Sequence, residues 1–445
     1  MTKKLKLIIF IIFIVYQTSV FSKTIEDKSF NPKYLSNYLS GIISKNNDDI
    51  SQSVKYFSLS KTLIDEHDEY LKKKILTLAL NDQVQKSIKI IKNNKEKNSI
   101  KFFEAKLLLL IDNFKKKKFD KNIELLKDLK EFKDFNNYQF IIYEVLDNYN
   151  YLFINKEIKN NEQNNFGKLT LINDALKYCY LNKPETSLKF LNLINLDEGD
   201  YTRYLFFYFS YLLEKNDFEK AKQISRSLNV LDRNLLINQS KHWLEELNIN
   251  KFEKIFSCKN EADILAEFLF LISNFYAAEK NFEKSNFYLN ISNYLNPKFY
   301  FNLTHLLENY LEKENYYLAK KILKNFNEED KIYYWYKLKK MYQIIYNEEN
   351  PDKALSFIEK KFKKYPNPSI KIIYDMANIY RNSQKFEESI KYYSEVIKKL
   401  DKNSEAYADV LYKRGSSYER IGLDERSDKD LLESLSVKPN DPYVL

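Results

Sequence analysis

The stretch Ala408–Pro439, ADVLYKRGSSYERIGLDERSDKDLLESLSVKP, decides the fold. It reads as two helices in succession, with large apolar residues at Leu411, Tyr418 and Leu431 and small ones at Gly415 and Ser427. Pro439 closes the second helix, because proline offers no N–H and clashes with the preceding turn. Working outward, Ser427 is the last of a series of small or short residues: Ser53, Ser87, Asn122, Ser187, Ala221, Ser285, Ala319, Ala354, Ser389 and Ser427. Successive spacings are 34, 35, 65, 34, 64, 34, 35, 35 and 38 residues. Each long gap is two periods, so a degenerate unit is expected in it. A helical period near 34 is the mark of stacked helix pairs rather than of one enzyme-like core.

Position by position, Ala408–Pro439 resembles the tetratricopeptide repeat, with Gly415 and Ser427 at its eighth and twentieth positions. The same register fits Ala266–Pro297 (Leu269, Ser273, Tyr276, Ser285, Leu289, Ser292), and Ala377 and Ser389 in the unit from Ile370. It also fits Ala354 in the unit from Trp335, Gly41 and Ser53 in the unit from Tyr34, and Ala175 with Ser187. The resemblance implies that Gly41, Ser53, Ala175, Ser187, Ala221, Ser273, Ser285, Ala319, Ala354, Ala377, Ser389, Gly415 and Ser427 lie where two helices cross closely. It implies an all-α fold, a right-handed superhelical solenoid of antiparallel helix pairs. Beyond the repeats, Glu261–Tyr276, Tyr333–Trp335 and the closing run through Asp441–Leu445 look like a secreted alphaproteobacterial family of such proteins. Its members continue past this motif, so the chain reads as truncated four residues into a further unit. An end without a polar cap invites self-association.

Residues 1–22 read as a secretory leader: Lys3, Lys4 and Lys6, an apolar run from Leu7 to Val15, then a small residue before Lys23. From Leu7 to Phe21 the run is too short and too polar for a membrane span. The expected organisation is a leader (1–22), an N-terminal array (23–248, degenerate near 135–165), an irregular linker (249–261) and a C-terminal array (262–445). Cys179 and Cys258 lie more than two units apart, which in a straight stack keeps them as free thiols.

The net charge is +10, but lysines alternate with acidic residues instead of forming a stripe, which argues against nucleic acid. Five glycines can hardly build a phosphate loop, and His67, His242 and His305 show no metal-ligand spacing. No cofactor or metal is expected, and no catalytic residue stands out. By resemblance, the inner face of each first helix lines a concave groove. Its candidate residues are Phe270, Asn274, Lys339, Gln343, Tyr346, Tyr374, Asn378, Arg381, Tyr412 and Ser416. Amides pair with an extended backbone and aromatics bury side chains. The expected function is therefore a non-enzymatic protein- or peptide-binding scaffold of the cell envelope. A glycan- or peptidoglycan-binding role is the alternative, since aromatic rings also stack on sugars. Asp375 and Asp409 stand where a carboxylate-gripping clamp needs Asn or Lys.

Overall fold

A computed structural model of the chain describes residues 32–64, 67–132, 137–159, 164–195, 202–232 and 234–439. The expected leader and the final Pro442–Leu445 lie outside them. The described residues are helical throughout, with no strand. Their contacts form two compact units, residues 1–105 and 106–445. The division falls inside a helix and not at the expected linker, 249–261.

The first unit holds α1 (Pro32–Asn46), α2 (Ile50–Leu59), α3 (Asp68–Leu80), α4 (Val84–Asn93) and the start of α5 (Phe103–Lys115). A β-carbon added to Gly41 would meet the Phe57 ring at 3.0 Å, so α1 and α2 cross with no room for a larger residue. The Ser53 hydroxyl spans that crossing, donating to the Gly41 carbonyl at 2.7 Å, and Ser87 does the same to Ile75 at 2.9 Å.

The second unit continues through α6 (Asn122–Lys130), α7 (Asn137–Asn155), α8 (Lys168–Tyr180), α9 (Thr186–Ile194), α10 (Thr202–Glu214), α11 (Phe218–Ser227), α12 (Leu235–Glu245) and α13 (Asn250–Ile255). It ends with the regular pairs α14 (Glu261–Ala278) with α15 (Phe282–Leu295), α16 (Phe301–Glu312) with α17 (Tyr316–Leu323), α18 (Lys331–Glu348) with α19 (Pro351–Lys363), α20 (Ile370–Asn382) with α21 (Phe386–Ile397), and α22 (Glu405–Glu419) with α23 (Asp424–Val437). Ala175, Ala221, Ser273, Ser285, Ala319, Ala354, Ala377 and Ser389 are fully buried, as the register requires. Ser187 departs from it: α9 starts only after Pro184, and Thr186 is the fully buried side chain there while Ser187 is half-buried. The degenerate stretch near 135–165 is α7, a first helix with no described second helix behind it. The linker 249–261 is not irregular throughout. It contains α13, whose Phe252 stacks on Phe206 at 5.4 Å, and Phe256 is buried against Phe207.

The period also appears in the backbone. Asp48, Asp82, Lys117, Asn182, Asn216, Leu247, Lys280, Glu314, Gln384 and Gly422 all have left-handed φ between +54° and +72°. Each sits in the turn between the helices of a pair. The next residue's N–H reaches back five positions, as Asn281 does to the Tyr276 carbonyl and Asn315 to the Tyr310 carbonyl. This satisfies carbonyls the ending helix would leave bare. Only Gly422 adopts that conformation without a side-chain penalty.

The cysteines correct the straight-stack expectation. Cys179 and Cys258 are joined in a disulfide, with their Cα atoms 5.9 Å apart, and both are buried. The reason is that α14 docks back against α7 and α8, so helices α9–α13 leave the stack and return to it. The Tyr180 hydroxyl donates to Glu261 at 2.9 Å across this contact, and Tyr294 of α15 donates to Asp112 of α5 at 3.0 Å. Closing a loop of 79 residues is worth about 4.5 kcal/mol by chain entropy.

Replacing exposed Glu314 (φ +54°) by glycine removes the left-handed penalty. Glu314→Gly is expected to raise stability by about 1 kcal/mol in equilibrium denaturation. A loss would mean that this turn is not the strained cap described here.

Candidate functional site

The candidate groove residues fall on the first helices α14, α18, α20 and α22, and the structure stitches several of them to the neighbouring repeat. Lys340 pairs with Glu308 at 2.7 Å, and the Tyr336 hydroxyl donates to the same carboxylate at 2.8 Å. Lys339 reaches Asp375 at 2.8 Å. Lys413 donates to the Tyr374 hydroxyl at 2.6 Å and to Asn378 Oδ1 at 3.0 Å, and Arg381 donates to Ser416 at 3.0 Å. Adjacent first helices are thereby held in register by polar bridges. Tyr412 is half-buried, while Gln343 and Tyr346 are exposed.

Asp375 is the junction of this ladder. Trp335 Nε1 donates to it at 2.9 Å, and Lys371 joins Lys339 at 2.7 Å. Burial works to raise its carboxyl, but the two ammonium groups together outweigh that and hold it below its ordinary value. Lys339, one of the lysines that a carboxylate-gripping site would use, is thus neutralised from within.

Two expected groove residues are buried and not solvent-facing. Phe270 lies beneath the Arg203 guanidinium, 3.9 Å from its ring centroid. Tyr374 is 8% exposed because part of the chain itself lies on this face. Leu231, in the link between α11 and α12, belongs to one apolar cluster with Ile373, Tyr374, Ala377 and Val410, and Val230 packs beside it. Leu235 rests against the cluster around Leu303, Leu307 and Tyr336, and α12 packs on α18. Gln239 donates to Asp330 at 2.9 Å, the residue that caps α18.

Sequence reasoning missed Arg203. It is 6% exposed on α10 and grips Glu267 of α14 through Nε at 2.8–2.9 Å, with Nη2 also donating to Asn302 of α16 at 2.9 Å. The rings of Phe270, Phe299 and Phe301 surround its guanidinium. A caged arginine of this kind carries no local signature, since its hydrogen-bond partners lie 64 and 99 residues from Arg203. His305 is pushed down to about 4, first by burial and then by the Arg203 charge, so it is neutral.

Two cavities flank Asn234. One, about 400 Å³, is lined by Leu235, Thr304, Glu308, Lys339, Lys340 and Gln343. The other, about 350 Å³, is mainly apolar, with Leu169, Ile172, Tyr204, Phe270, Asn274 and Phe275 in its wall. Among the described residues there is no cluster of His, Cys, Asp and Glu able to hold a metal, and no helix long and apolar enough to cross a membrane.

No family model matches the chain, and no curated protein matches it. Similar solved structures include the APC/C hetero-tetramer Cut9–Hcn1, at 11% identity over 93% of this chain and 95% of that one, with a TM-score of 0.30. Yeast Tom70 is similar at 13% identity over 91% and 92%, with a TM-score of 0.31. The P58(IPK) TPR domain is similar at 12% over 92% and 95%, with a TM-score of 0.22. At such scores the helix-pair assignment rests on the chain's own crossings and turns.

Asp375→Asn leaves Lys339 and Lys371 without their shared anion. Both partners are partly solvated, so the expected cost is about 1–2 kcal/mol at pH 7. A lowered carboxyl contributes stability above its unfolded value, near ~4, and loses it as pH falls through the folded one. Wild type and variant should therefore converge below about pH 4 in urea denaturation. A gap independent of pH would refute the ion-pair account.

Proposed function

We propose that this chain is a non-enzymatic scaffold that holds an extended protein segment on the face of α16, α18, α20 and α22. One observation carries the reading: a stretch of the chain's own backbone, anchored by Leu231 and Leu235, already lies on that face. A surface that seats one peptide segment through apolar anchors and side-chain amides has the chemistry to seat another. The cavity beside Asn234 leaves the exposed Gln343 amide in reach of a partner's backbone. The glycan alternative is less well supported, because Phe270 and Tyr374, two of the rings it would stack on, are buried.

The envelope location is part of the same proposal. Its supports are the leader-like residues 1–22 and the buried disulfide, a bond that persists in oxidising compartments.

Gln343→Arg with Tyr346→Ala should weaken partner capture from envelope extract by ~2 kcal/mol or more, while the protein stays folded. Lys391→Ala with Glu395→Ala, on α21, should leave capture unchanged. Equal loss from both pairs would sink the concave-face reading.

For export, the protein isolated from envelope fractions should begin at Lys23. Neither cysteine should react with an alkylating reagent until a reductant is added. An intact Met1 with two reactive thiols would refute export.

A further inference from the structure

Resting on that reading, we propose that the segment Leu228–Gln239 is an intramolecular competitor for the binding face. A partner enters by presenting the same chemistry: two branched apolar side chains four residues apart, flanking a carboxamide that caps a short helix. In the chain these three are Leu231, Leu235 and Asn234.

The segment holds its own shape. The Leu231 N–H donates to Asn229 Oδ1 at 2.8 Å, and the Asn234 N–H to Asp232 Oδ1 at 2.7 Å. Asn234 Oδ1 accepts from Leu236 and Ile237, starting α12. Asn238 donates to the Asp232 carbonyl at 2.8 Å, and Lys241 to the Leu228 carbonyl at 2.9 Å. A turn closed by its own side chains can leave the face without unravelling. Its grip on the face is of a different kind. Leu231 is buried in the cluster with Ile373, Tyr374 and Val410, Leu235 is only partly covered, and Gln239 bonds to Asp330. Asn229 is exposed and Val230 half-buried, so one side of the segment faces the groove and the other faces solvent.

The disulfide sets the competition. Cys179 and Cys258 tie the chain on both sides of the segment, so a displaced segment stays close to the face. A tethered competitor acts at high effective concentration. A ligand in solution then binds with its intrinsic affinity reduced by the fraction of molecules whose face is open.

The test uses the full chain and a fluorescent synthetic peptide copying residues 228–241. Wild type should bind it weakly. Leu231→Ala should bind it at least ~10-fold more tightly, and Leu231→Asp more tightly still, in proportion to the open fraction. Hydrogen exchange over Ile370–Asn382 should speed up in both variants and slow again when peptide is added. If both variants lose their fold by circular dichroism, wild type decides alone: excess peptide should speed exchange at Leu228–Asp232. Peptide binding equal in all three proteins, or none in any, overturns the proposal. So does an Ile370–Asn382 segment indifferent to Leu231. Failure here is distinct from failure of the scaffold reading. Capture that depends on Gln343 and Tyr346, with no peptide binding, removes the competitor and keeps the scaffold. Peptide binding with capture indifferent to those residues does the reverse.

Discussion

Where the helices of a pair cross at Gly41, at Gly415 and at the buried serines, there is room for a hydroxymethyl group and little more. A β-carbon on Gly415 would stand 3.2 Å from Leu431, and Ser53, Ser87, Ser285 and Ser389 are completely buried at the equivalent crossings. Close approach brings helix backbones within reach of serine hydroxyls. Ser60, Ser292 and Ser434 each donate to a backbone carbonyl in the first two turns of their partner helix, at Tyr34, Ala266 and Ala408. The small residue lets the helices meet, the hydroxyl meets its need for a partner in the neighbouring backbone, and large residues fill the space on either side. The turns between helices must then be tight, which forces a left-handed residue into nearly every one even where it is Asp, Lys or Glu.

Within residues 106–445 a second constraint acts across long sequence separations. The helices α9–α13 leave the stack after α8 and return at α14, closed by the Cys179–Cys258 disulfide and by the Arg203–Glu267 pair inside its aromatic cage. A buried charge pair is tolerated only when it is well hydrogen-bonded, and Arg203 bonds through Nε and Nη2 to Glu267 and Asn302, while its Nη1 is buried without a partner. The excursion places Leu231 and Leu235 on the face that the repeats create. The groove of the regular repeats is therefore already partly filled by their own chain, and the polar ladder through Asp375 holds the walls on which it rests.

The helix-pair architecture was legible in the sequence because its causes are local. A crossing needs small residues twelve positions apart, and a turn and a closing proline follow at fixed distances. These recur at 34 and leave a readable mark from Gly41 to Ser427. Where a local rule shifted by one residue, as at Ser187, Pro184 stood just before the helix start.

The candidate site was legible only in part. Composition and period placed Lys339, Asn378, Arg381 and Ser416 on one side of successive first helices. They could not show that Phe270 would lie under Arg203 or that Tyr374 would lie in a cluster with Leu231. Those contacts join residues 67 and 143 positions apart. The sequence determined which faces are close-packed and where each pair turns, since helix periodicity and side-chain size suffice for that. The pairing of the cysteines, the burial of the arginine and the occupation of the groove were decided by the tertiary structure. They depend on the path of α9–α13 away from the stack and back, and no spacing within a single repeat encodes that path.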